Sequence, residues 1–174
     1  LNMLDAGVSI IEESMMATEA FLKARSGWNA VINADAAIRE ATALAEEMSK
    51  ENILASQAKG NEALAFLEEA QQDFSQAEAA YPSLDLAAFK DYVAKRIESQ
   101  QAALAADEAY LSRNKEELEA QNSRYNALEE EAAALAQKLG EDDPEQIVAL
   151  RFYEEIEADQ GAYEAERLKA GNAD

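Results

Sequence analysis

The chain has 174 residues and a formal net charge of −21, from 36 acidic and 15 basic side chains, and it contains neither His nor Cys. Such a charge repels nucleic acid and anionic membrane, because phosphate binding requires Lys and Arg to displace counterions. The absent residue types exclude disulfides, thiolate nucleophiles, zinc–thiolate sites and every histidine-dependent catalytic constellation.

Ala, Glu, Leu and Gln dominate, against only 6 Gly and 2 Pro, so the chain reads as helix throughout. The β-branched and aromatic runs that strands need are missing, and no apolar stretch approaches the roughly 20 residues of a membrane span. A first helix is expected over about 3–25, carrying Met15, Phe21 and Leu22 and ending at Ser26-Gly27. A second should start between Asn29 and Asp35 and run to Tyr81. Ile38, Ala41, Ala45 and Met48 form one register, and Ile53, Gly60, Leu67, Phe74 and Tyr81 form another, spaced by sevens with Ala63, Ala70 and Ala77 between. The two registers differ by one residue, and the mismatch points to a kink near Gly60 or, as the alternative, an outright break there.

Tyr81-Pro82-Ser83-Leu84-Asp85 is the clearest punctuation, with Ser83 or Asp85 able to cap the next helix. A third helix is expected over about 86–139 without interruption, because Ile97, Leu104, Leu111, Leu118, Tyr125, Ala132 and Leu139 repeat every seven residues. Its companion column, Val93, Gln100, Asp107, Asn114, Gln121, Leu128 and Leu135, is apolar at the ends and polar in the middle, which predicts thin burial or a few polar layers there. Arg96, Arg113 and Arg124 are read as intrahelical ion pairs. A turn at Gly140 to Pro144 leads to a fourth helix reaching about Leu168, and a frayed tail closes the chain.

These lengths predict a single all-α domain, an antiparallel up-down-up-down four-helix bundle whose two long central helices extend as a coiled-coil hairpin. The bundle end should comprise about 1–58 and 110–174, and the hairpin extension about 59–109.

Little irregular backbone remains to build a catalytic pocket, and the chain reads as no enzyme. It reads instead as an interaction or spacer module that needs no cofactor, acting on a protein partner or on a second copy of itself. The hairpin tip, with Tyr81, Pro82, Leu84 and Phe89, is the candidate contact point; the alternative for those residues is an apolar plug closing the hairpin. Acidic helix faces are the other candidate surface. Trp28 is read as capping a bundle end.

Two other functions stand beside this one: a carboxylate-based divalent-cation binder and a helical-hairpin holdase or assembly factor. No metal site is assigned: Glu141, Asp142 and Asp143 are among the candidate carboxylates, but they lack the alternating acids and central Gly of a calcium loop and read more simply as a solvated acidic face. The Ala- and Glu-rich, Cys-free texture resembles that of helical envelope lipoproteins of bacteria and of spectrin-type spacers. Nothing about site or location is carried over from that resemblance. The absence of Cys fits an extracytoplasmic bacterial protein as well as a cytosolic one, and the start at Leu1 fits a cleaved leader or lipid anchor upstream as well as a chain boundary set in another way.

Overall fold

Four helices span residues 2 to 139: α1 (Asn2–Ala45), α2 (Lys50–Ala80), α3 (Ala87–Leu111) and α4 (Lys115–Leu139). The computed structural model describes residues 2–82 and 84–139, with Ala165, Leu168 and Lys169. Those three apart, the turn, fourth helix and tail expected after Leu139 lie outside the described residues. Among the described residues there is no strand, and each helix packs on its neighbours in the chain, α1 on α2, α2 on α3 and α3 on α4. This is the expected all-α four-helix bundle, but it is assembled from different segments.

The helix end expected at Ser26-Gly27 does not occur. Gly27 lies inside α1 on the face that meets α2, where an added Cβ would stand 3.2 Å from the Ala70 carbonyl oxygen, Asp73 Cβ and the Phe74 ring. It allows close approach of two helices and is no exit. The same face carries Ala17, Ala20, Ala24, Val31, Ala34 and Ala41, all buried. Small side chains at these positions let the helix axes draw together. Ser26 points aside and donates to Asp73 at 2.8 Å.

The break comes at Glu46 to Ser49. Ser49 is extended, with φ −126 and ψ 156, and its hydroxyl accepts the Asn52 N–H at 3.2 Å as the N-cap of α2. The Tyr110 hydroxyl, at the far end of α3, donates to the Met48 carbonyl at 2.8 Å and pins the turn. α2 then continues without interruption through Gly60, which packs directly on α3. A Cβ at Gly60 would meet Gln100 Nε2 and Leu104 Cδ2 at 2.8 Å, and the Gly60 carbonyl accepts from Gln100 Nε2 at 3.3 Å. The column of sevens is borne out: Ile53, Gly60, Leu67, Phe74 and Tyr81 are buried, with Ala63, Ala70 and Ala77 between them.

The continuous third helix is overturned. After Leu111 the chain turns at Ser112 to Asn114, with Arg113 at φ 56 and the Asn114 N–H donating back to the Ala109 carbonyl at 2.8 Å. Asn114 Oδ1 then accepts the Glu117 N–H at 3.1 Å, and Glu116 and Glu117 sit in the first turn of α4 beside its positive dipole end. The heptad column is thereby folded back on itself. Ile97, Leu104 and Leu111 belong to α3, and Leu118, Tyr125, Ala132 and Leu139 to α4.

The α2–α3 hairpin at Tyr81-Pro82 does form, and Asp85 accepts the Ala87 N–H at 3.0 Å where α3 begins. A third helix covers it. Ala17 to Ala34 of α1 share one core with Leu67 to Tyr81 of α2 and Leu86 to Val93 of α3.

Candidate functional site

Covering by α1 decides the fate of the tip residues. Tyr81 is 9% exposed, Leu84 4% and Phe89 0%, leaving Pro82 alone of the four on the outside. Phe89 stacks 5.9 Å from Phe74 and meets Trp28 edge-on at 5.9 Å and 78°, while Trp28 lies 6.2 Å from Tyr92. Trp28 is therefore an inner residue in the middle of α1, not the cap of a bundle end. Each such aromatic side chain contributes about 2–3 kcal/mol by leaving water. Tyr81, Leu84 and Phe89 are buried, as the plug alternative expects, and do not form an open aromatic surface.

A charged cluster lies farther along the bundle. Arg96 of α3 donates from Nη2 to Asp35 of α1 at 2.5 Å and from Nη1 to Glu129 of α4 at 2.9 Å, and the Ser99 hydroxyl donates to the other oxygen of Glu129. Burial pushes the Asp35 carboxyl above its ordinary value, outweighing the pull of Arg96 and Arg39. Burial also opposes the Arg96 charge, but Tyr92, Asp35, Glu129 and Tyr125 together raise its pKa. Arg96, expected to pair within its own helix, ties three helices together. Sequence reading missed this cluster because its bonded pairs lie 30 to 61 residues apart.

Beyond it the interior thins. Ile38, Ala41, Thr42 and Ala45 of α1 face Asn122 and Tyr125 of α4 across a partly open groove of about 180 Å³. Its floor is Ser56 of α2 with Gln100, Ala103, Ala106 and Asp107 of α3. The Ser56 hydroxyl donates to the Ala41 carbonyl at 3.0 Å and lies 3.4 Å from Asp107 Oδ2. Burial raises the Asp107 carboxyl to about 6, and the Ser56 hydroxyl only partly offsets that. The polar middle of the companion column was the sequence signal for this region: Gln100 and Asp107 line the groove, and Asn114 caps α4.

Glu141, Asp142 and Asp143 lie outside the described residues. Among the described residues no group of three or more acidic side chains is placed to hold a metal ion. No described helix is long and apolar enough to cross a membrane.

Comparison with known proteins adds no relative. Neither protein-family models, curated proteins nor solved structures return a match to this chain.

Much of that geometry is acidic surface. Lys59 pairs with Glu40 and Glu62, Lys90 with Glu78, and Lys95 with Glu98 and Glu131. On α4, Glu116, Glu119 and Glu130 are exposed, and no ion pair among the described residues engages them. At helical spacing they fall on one strip, opposite the buried Leu128, Ala132 and Leu139.

Proposed function

We propose that the chain is a non-catalytic helical interaction and spacer module that presents an acidic helix face to a basic protein surface, in a bacterial envelope setting. The observation that supports this reading is the strip of Glu116, Glu119 and Glu130 on α4, exposed and without an ion pair among the described residues. With the tip aromatics turned inward, the acidic face is the surface left from the two expected from sequence. Such a surface attracts a basic partner at long range and sets association rate and selectivity more than raw affinity. The envelope setting rests on the Cys-free, Ala- and Glu-rich composition.

Site-specific photo-crosslinking in the producing cells tests it. A crosslinker at Glu119 or Glu130 should capture a discrete basic protein, with a yield that falls as salt rises. A crosslinker at Pro82 should capture little. Capture at Pro82 alone, or none at the α4 positions, would remove the acidic-face reading.

A further inference from the structure

The groove between α1 and α4 is an underfilled part of the described interior. Alanines line one wall and the floor, Ala41 and Ala45 on α1 and Ala103 and Ala106 on α3, where the other end of the bundle has Trp28, Phe74 and Phe89. Among these small walls sits one carboxylate, Asp107. The Ser56 hydroxyl lies 3.4 Å from its Oδ2, and among the described residues no ion pair engages this carboxylate. A half-buried carboxylate facing an apolar groove without a cation is an unsatisfied electrostatic position.

We propose that this groove binds a small organic ammonium ion, with Asp107 as its counter-ion. The chemistry favours that class over others. A metal ion asks for several converging oxygen ligands, and the groove offers one carboxylate. An anion would meet both Asp107 and a chain of net charge −21. An alkylammonium places its charge on Asp107 and its carbon chain against Ile38 and the alanines, while Thr42 and Asn122 supply polar groups at the rim. Tyr125 adds an aromatic ring of the kind that attracts cations. The volume, about 180 Å³, equals that of about six water molecules, which suits a chain of four or five carbons. The acidic surface raises the local concentration of any cation before it enters.

The test is a titration of the full chain with n-butylammonium, followed by calorimetry and by the Asp107 and Tyr125 resonances, with 1-butanol as the neutral probe of equal length. Saturable one-to-one binding in the millimolar range is expected at physiological salt, about tenfold or more tighter than 1-butanol. Asp107→Asn should weaken it about tenfold or more, and Ala103→Leu, which fills the groove and keeps the carboxylate, should abolish it. Equal binding of 1-butanol, equal binding by Asp107→Asn, or heat that never saturates would overturn the proposal. The comparison of the two probes on the unaltered chain needs no variant to fold.

Discussion

Arg96 places its Nη2 2.5 Å from Asp35 Oδ1, across 61 residues of sequence and from α3 to α1. Its Nη1 holds Glu129 of α4 at 2.9 Å, so one guanidinium joins three helices. Part-buried ion pairs add little net stability over apolar replacements, but removing one partner strands the others. This cluster therefore acts as a register pin between α1, α3 and α4.

Replacing Arg96 with Met should expose that asymmetry. Asp35 and Glu129 would face each other without their cation, at an expected cost of about 2–3 kcal/mol in urea unfolding. The figure lies at or below the fully buried range because the Asp35 and Glu129 side chains are 34% and 28% exposed. The triple change Asp35→Asn, Arg96→Met and Glu129→Gln should recover most of the loss. A cost for Arg96→Met under about 0.5 kcal/mol would place the cluster among ordinary screened surface pairs.

Gly27 and Gly60, both inside helices, should respond differently to Ala, although both gain about 1 kcal/mol of helix propensity. At Gly60 the obstructing atoms are the amide end of Gln100 and a methyl of Leu104, which can rotate away. At Gly27 they include the Ala70 carbonyl and Asp73 Cβ, which are fixed to α2 and force the helices apart. Gly27→Ala should therefore destabilise by about 1 kcal/mol or more, and Gly60→Ala by less. Thermal melts of the two variants give the order, and a reversed order would contradict the close contact of α1 and α2.

Arg113 adopts a left-handed backbone, φ 56, that costs a side chain about 1 kcal/mol and costs Gly nothing. Arg113→Gly should raise stability by about 0.5 kcal/mol after the extra freedom of the unfolded chain is subtracted. If residues 86–139 formed one rod, the same change would place Gly in a helix interior and lower stability by a similar amount. The sign of the change in urea midpoint separates the two shapes.

Asp107 makes stability depend on pH. Its carboxyl is raised from 3.8 to about 6, so between those values the folded chain keeps a proton that the unfolded chain releases. Stability from this group is full below about 4 and is lost as pH rises through about 6. Asp107→Asn should then be more stable than the unaltered chain at pH 7.5, by on the order of 1 kcal/mol because a half-exposed carboxylate is partly screened. The advantage should vanish near pH 4. Urea midpoints at the two pH values measure it, and an advantage that persists at pH 4 would assign the gain to packing instead of charge.

Much of α2 was legible because its inward residues, from Ile53 to Tyr81, follow a single register that one neighbouring groove can bury. The Tyr81-Pro82 turn was equally plain, since Pro cannot continue a helix. The signal for α4 was also present: Asn114 followed by Glu117 is an N-cap pattern, yet a heptad column running across it pointed the other way. Sevens continue in phase through a turn of the right length, so the column alone could not distinguish one rod from two antiparallel helices. Ser26-Gly27 misled for a related reason. Gly that ends a helix and Gly that lets two helices touch look alike until the partner helix is in place.

Composition by itself determined that the chain is helical, acidic and without histidine or thiol chemistry, because those properties depend only on which side chains exist. The tertiary structure decided where the helices break and which faces they bury, because a break forms where the caps and the packing of a neighbour together outweigh the loss of a turn. It also decided that Tyr81, Leu84 and Phe89 face inward while Asp107 faces a groove, since both outcomes depend on α1 running past Gly27 to lie along the other helices.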